Sequence, residues 1–310
     1  MFTNRRQFLT TATIGAMSLT TQQPLFSADQ PKKLLLIAGK PSHPPRMHEF
    51  RAGCYILEKC LKDVKGLTVE VHENGWVKND SALNDADAVV IYSDGGGGHP
   101  ILQANHLDLL RSRIRKGMGF GCMHFAVEVP PTQGSTEMKD WIGGHYEHMY
   151  SVNPMWKPEY TTFPEHPITR GVKPFAVVDE WYFNMRFQPG FSADKAYNDG
   201  DLKFTPILVA TPTDTVRNGP YVYPRGPYAH IQAASGRKEA MMWALERPDG
   251  GRGFGFTGGH NHDNWADNNY RKVVLNALLW LSKCDIPAEG LESQLNKADL
   301  EAKLDPKGKR

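Results

Sequence analysis

Imidazoles, carboxylates and aromatic rings recur in this chain just past short apolar runs, and each recurrence is a place where chemistry can be sited. The first is the glycine-broken run of residues 117–126, which reads as a buried strand ending in a sharp turn that offers the thiol of Cys122 and the imidazole of His124. Taken alone it is equally a packed strand with a buried Cys and a hydrogen-bonded His. The second is Asp179-Glu180-Trp181-Tyr182, two adjacent carboxylates followed by two rings, a set that suits acid–base work beside a stacking platform, as in sugar sites. Only one of the two carboxylates can face a crevice, because strand neighbours alternate. The third is Gly259-His260-Asn261-His262 with Trp265, again past a strand end. His43 and His48 follow the first strand, and His99 follows four glycines. Those glycines lack the Lys-Ser/Thr and the spacing of a phosphate cradle, so they read as close backbone approach to a ligand, or as a flexible lip with His99 at its rim. His145 and His148 form an H-x-x-H pair that shares a face only on a regular helix, which the adjacent glycines oppose.

The elements that must hold these groups follow from periodicity. Apolar or alternating runs at residues 33–39, 67–72, 87–92 and 117–126, with helices at 49–65 and 103–116, give a β-α-β-β-α-β pattern and hence a doubly wound parallel sheet. Further strands fall at 175–178, 206–210, 240–245 and 254–257, and a last helix at 268–284 packs back on the sheet. In such sheets ligands bind outside the carboxyl ends of the strands. Every group named above lies in a segment that can reach that crevice.

The ends of the chain read differently. Residues 1–28 carry Arg5-Arg6 ahead of a mild apolar run too short to span a bilayer, the pattern of a twin-arginine export signal, so a periplasmic or extracytoplasmic location is expected. Residues 285–310 form a polar, charged tail, and residues 33–284 the folded domain. The formal charge is +2 over 310 residues, and removing the two signal arginines leaves the rest near neutral, which argues against nucleic acid or an anionic membrane surface as partner. Four cysteines without a C-x-x-C pair make no disulfide framework.

The turn at residues 121–126, Gly143-Gly144 with His148, His166-Pro167, Asp179-Glu180-Trp181-Tyr182, and Gly259-His260 with Trp265 occur in the order seen in the ThuA-like family, and the chain resembles that family from about residue 33 to residue 283. The resemblance implies a single flavodoxin-like domain, α/β with a doubly wound, mostly parallel sheet, of the kind found in class I glutamine amidotransferases, and a role in carbohydrate metabolism. It puts His124 where the family has its His, with Cys122 two residues earlier, so glutamine amidotransferase activity is not expected. The expected function is an exported protein acting on a glycoside or keto-sugar derivative. In that reading His124, Glu180 and His260 do acid–base chemistry, and His48, His99, His148, Asp179, Trp181, Tyr182, His262 and Trp265 contact the sugar. Two other readings stay open: a non-catalytic carbohydrate-binding protein, and a hydrolase whose divalent metal is held by His124, His145, His148 and His260. No cofactor is required by the sequence, no residue is assigned as a metal ligand, and the oligomeric state is undetermined.

Overall fold

The computed structural model describes Met1 and residues 31–308, and residues 31–308 belong to one compact unit. The export signal expected over residues 1–28 lies, Met1 apart, outside the described residues. The apolar runs become strands β1 (Lys32–Ala38), β2 (Leu67–His72), β3 (Ala88–Tyr92) and β4 (Gly119–Met123). With β5 (Tyr197–Asp199), β6 (Leu202–Ala210), β7 (Glu239–Glu246) and β8 (Arg252–Phe256) they make one eight-stranded sheet in the order β2-β1-β3-β4-β8-β7-β6-β5. The first five strands of that order are parallel, and β7, β6 and β5 extend the sheet antiparallel. The reversal at β7 follows from its short link to β8, residues 247–251, which leaves no room for a crossover. Pro206 sits in β6 beyond the stretch that pairs with β5 and next to a register shift against β7, the kind of irregularity where a strand proline is tolerated.

Helices α1 (Phe50–Leu61), α2 (His106–Ile114), α3 (Ser135–Ile142) and α4 (Asn268–Leu281) cover the two faces. Alternation along β1 sorts its side chains between them. Leu34, Leu36 and Ala38 join the core under α1 and α4, while Leu35 and Ile37 join the core under α2 and α3. Each of these leucines and the isoleucine, wholly withdrawn from water, contributes about 1.5–3 kcal/mol of apolar burial. The fold is therefore the α/β doubly wound sheet expected from the sequence. Its parallel part has the order of a flavodoxin-like fold, with the switch point between β1 and β3.

Two features concern the crevice end. The strand expected at residues 175–178 does not form. Phe175 only bridges Tyr160, and pairing falls instead on Asp179–Glu180 against Met155–Trp156. The charged tail is fastened to the domain. Its helix α5 (Lys297–Glu301) is closed by a capping box between Asn296 and Asp299. Beyond it, Arg51 donates to the Lys303 and Leu304 carbonyls at 3.0 and 2.6 Å, and the Asp305 N–H donates to Glu49 at 2.9 Å. Lys307 donates to the Met47 and His48 carbonyls and pairs with the buried Glu49 carboxylate at 3.3 Å. The tail thus clamps the loop that carries His48. Among the described residues no helix is long and apolar enough to cross a membrane.

Candidate functional site

Four segments leave the carboxyl ends of parallel strands and converge. The loop after β1 carries His48, the one after β3 carries Asp94, the turn after β4 carries His124, and the turn after β8 carries His260. Three residues of the first loop, His43, Arg46 and His48, have positive φ (59°, 70° and 49°), as does His124 at 55°. Non-glycine residues occupy that region at a cost and persist there only where surrounding contacts hold them. The contacts are present. The His48 N–H donates to the His260 carbonyl at 3.0 Å and the His262 N–H to the Arg46 carbonyl at 2.9 Å, zipping the first and last loops together. At the β4 turn the positive φ of His124 breaks the alternation, so its side chain enters the crevice while Cys122 stays wholly buried in the core beneath α2 and α3.

Asp179 builds the last turn. Its carboxylate accepts the backbone N–H groups of Gly259, His260 and Asn261 at 2.8, 3.1 and 3.1 Å and the Tyr270 hydroxyl at 2.9 Å. Gly259 has φ 114°, which a side chain rarely tolerates, and a Cβ there would meet Tyr92 at 3.1 Å. Alternation then points the neighbouring Glu180 the other way, into the centre.

The centre is compact. Glu180 Oε2 lies 2.7 Å from His260 Nδ1 and 3.7 Å from His124 Nε2. His48 Nε2 lies 3.0 Å from His260 Nδ1 and 2.9 Å from His124 Nε2. One nitrogen from each of the three imidazoles and one Glu180 oxygen all fall within 4.8 Å of one another, a grouping able to hold a metal ion. A second layer orients these groups. His48 Nδ1 meets Asp94 at 2.7 Å, His124 Nδ1 meets the Thr257 carbonyl at 3.1 Å, and the Asn153 amide donates to Glu180 Oε1 at 2.7 Å. The Tyr182 hydroxyl is 3.3 Å from His124 Nε2, and the His43 ring stacks on His48 at 3.5 Å. His124 is fully buried and His48 nearly so. The remaining exposure at the centre is 5 % at His260 and 3 % at Glu180.

Burial sets the protonation pattern. It pushes His48 far below the ordinary imidazole range, helped by His43, His260 and Lys307, and lowers His124 likewise, with His48 and His260 adding to the effect. Glu180 is raised by burial, against the opposing pull of His260 and Asn153. The centre thus presents the neutral imidazoles of His48 and His124 beside a carboxyl that readily holds a proton. Glu128, in the same electrostatic neighbourhood, is pushed up to about 7 by burial and by Glu180. The folded chain then keeps a proton that the unfolded chain releases near 4.5, so this group lowers stability as pH rises from 4.5 to about 7, by at most about 1.4 kcal/mol per pH unit. Glu128→Gln holds no such proton and is expected to gain stability relative to the native chain across that interval. Urea melts of both proteins at the two ends of the interval test this, and a stability difference that does not change with pH refutes it.

The other residues named from the sequence divide sharply. Trp181 is fully buried against Tyr160, Phe256 and Tyr270, so no sugar ring can stack on it. Tyr182 reaches the centre through its hydroxyl, not as an open platform. Asp179 is consumed by the turn it builds. His99 is also wholly buried, its Nε2 against the Ala126 carbonyl at 2.8 Å and its Nδ1 accepting the Ile101 N–H at 3.1 Å, so it caps a turn and forms no rim. Gly95 approaches backbone rather than ligand, since a Cβ there would lie 2.1 Å from the Phe125 carbonyl oxygen. His262 holds the tail through the Leu300 carbonyl at 2.9 Å, and Trp265 is core, packed on Tyr92 and Tyr270. His145 is spent on Ser135 and the Tyr146 carbonyl at 2.9 and 2.8 Å, and His148 is exposed beside Tyr223, so the ligand set combining these two with His124 and His260 does not assemble. Sequence reasoning missed Asp94 and Asn153, which contact the centre, and Glu128 beside it. Asp94 follows β3 immediately and was within reach of the strand-end rule. Asn153 lies in irregular chain that carries no such signal.

Comparison with known proteins agrees with this fold. A family model described as ThuA, trehalose utilisation, matches residues 35–281. Among solved structures, a ThuA-like protein from Bacteroides uniformis superposes with TM-score 0.56 at 14 % identity, covering 84 % of this chain and 95 % of that one. A ThuA-like protein from Parabacteroides merdae gives TM-score 0.52 at 14 % identity, covering 87 % and 99 %. A glutamine amidotransferase from Thermotoga maritima, at TM-score 0.37 and 12 % identity over 82 % and 97 %, is too distant to carry an argument. No curated protein matches. On the match over residues 35–281, the chain belongs to the ThuA trehalose-utilisation family, a family of carbohydrate metabolism.

Proposed function

We propose that this protein is an enzyme acting on a glycoside or keto-sugar derivative by proton transfer at the Glu180–His260–His124–His48 centre. The observation that carries the reading is the Glu180–His260 contact of 2.7 Å in a crevice at the carboxyl ends of parallel strands, in a chain of the trehalose-utilisation family. A carboxyl and an imidazole sharing one proton can remove a proton from a carbon next to a sugar carbonyl and deliver one to a departing or rearranging oxygen. The Tyr182 hydroxyl, 3.3 Å from His124 Nε2, is placed to hold an oxygen on the same side. The test is product analysis by mass spectrometry on a panel of disaccharides and their keto derivatives. Unchanged sugars throughout would remove the catalytic reading.

The sugar's ring face is assigned to Tyr223, which is 70 % exposed. Asn153 links it to the chemistry, accepting the Tyr223 N–H at 3.2 Å through one side-chain atom while donating to Glu180 through the other. Tyr223→Ala is expected to raise KM about tenfold with kcat little changed, the loss of roughly 1.4 kcal/mol of stacking. Steady-state kinetics separate the two constants, and a fall in kcat at unchanged KM would refute the role. The same exposed rim favours the second reading, a sugar-binding protein without turnover, which calorimetry showing binding without product would select. The paired arginines at positions 5 and 6 support export by the twin-arginine route, and retention of the full chain in the cytoplasm of a host with that pathway would refute it.

A further inference from the structure

We propose that His48 Nε2, His124 Nε2, His260 Nδ1 and Glu180 Oε2 are the ligands of one divalent first-row transition-metal ion. The inference deepens the proposed function and rests on the same four side chains being its working centre, with the ion bound in place of the proton that Glu180 and His260 otherwise share. The argument begins with hydrogen positions. His124 Nδ1 faces the Thr257 carbonyl at 3.1 Å, and a carbonyl only accepts, so the ring hydrogen is on Nδ1 and Nε2 carries a lone pair. His48 Nδ1 faces the Asp94 carboxylate at 2.7 Å, which places its hydrogen there and a lone pair on its Nε2. These two Nε2 atoms point at each other across 2.9 Å. Two lone pairs held face to face inside a protein repel, and the arrangement becomes favourable when a cation lies between them and the Glu180 oxygen.

The second layer is of the kind that metal-ligating histidines use, in which a carboxylate or main-chain carbonyl takes the far ring N–H, fixes the tautomer and strengthens the ligand. Size agrees as well. An ion holding nitrogen and oxygen at about 2.0–2.2 Å separates neighbouring ligand atoms by about 3–3.5 Å. The four separations here of 2.7, 2.9, 3.0 and 3.7 Å bracket that span. Three imidazoles and one carboxylate select zinc, manganese, iron, cobalt or nickel over magnesium or calcium, which take oxygen ligands. Charge closes too, since a 2+ ion is balanced by Glu180 within the set and Asp94 behind His48. An ion with four protein ligands completes its shell with one or two further oxygens. Adjacent hydroxyl and carbonyl oxygens of a keto-sugar, or a vicinal diol, are the ligand class that fits.

The test uses the full chain prepared without a histidine tag. Elemental analysis should find about one equivalent of a first-row metal per chain. After stripping with a strong chelator, titration with cobalt(II) should produce a visible d–d absorption that saturates at about one equivalent, with a rise in melting temperature. His48→Ala and His124→Asn should lose the absorption, and Tyr182→Phe should keep it. Should either histidine variant fail to fold, Asp94→Asn, at a part-exposed position outside the ligand set, should weaken cobalt(II) binding by about 10–100-fold. The proposal is overturned by native protein that carries no metal and shows neither the absorption nor the thermal shift, by folded histidine variants that bind cobalt as the native chain does, or by unchanged affinity in Asp94→Asn. Stripped protein that still turns over sugar at the full rate also overturns the metal while sparing the enzyme reading. Stoichiometric metal in a protein inert to every sugar does the reverse.

Discussion

Glu180→Gln and His124→Asn are each expected to lower kcat on a sugar substrate by about three orders of magnitude, roughly 4 kcal/mol of transition-state free energy, while leaving the fold intact. Gln keeps the shape of the side chain and its acceptor for the Asn153 amide but cannot take or give the proton shared across 2.7 Å with His260. Asn is chosen for His124 because the backbone there has φ 55°, a region that Asn enters at less cost than Ala. Circular dichroism and thermal melts establish that each variant is folded, and initial rates on the substrate found for the native chain measure the loss. Native rates in both folded variants would end the acid–base assignment.

Asp179→Ala is expected to act through stability instead, costing about 3–5 kcal/mol. The carboxylate is wholly buried and is the acceptor for three consecutive backbone N–H groups and one phenol, so its removal leaves several buried donors unsatisfied at once. Because these donors belong to the turn that presents His260, activity should fall along with stability. Urea denaturation of Asp179→Ala beside Glu180→Gln makes the contrast. Adjacent carboxylates should separate into one that holds the turn and one that does the chemistry, and a loss below about 1 kcal/mol in Asp179→Ala would contradict the role given to it.

Much of the scaffold was legible because it depends on local pattern. The unbroken apolar run of β1 can only be a strand covered on both faces, and the alternation of its residues already assigns Leu34 and Leu35 to opposite cores. His124 and His260 were found because each lies within four residues of the end of a strand whose carboxyl end opens on the crevice. Trp181 misled because exposure is not a property of residue type. An indole next to a working carboxylate looks like a stacking face until Tyr160, Phe256 and Tyr270 are seen to enclose it.

By itself, then, the sequence determined a doubly wound sheet, the crevice at its strand ends, and a supply of imidazoles and carboxylates around that crevice. Which of them meet was decided by tertiary structure alone. His48 comes to His260 across 212 positions of sequence through a loop held at positive φ and clamped by Lys307, and Asp94 and Thr257 turn the rings so that their inner nitrogens converge. Strand and helix periods report only on neighbours along the chain. The meeting of these four groups is the sum of contacts between loops, and no local repeat encodes it.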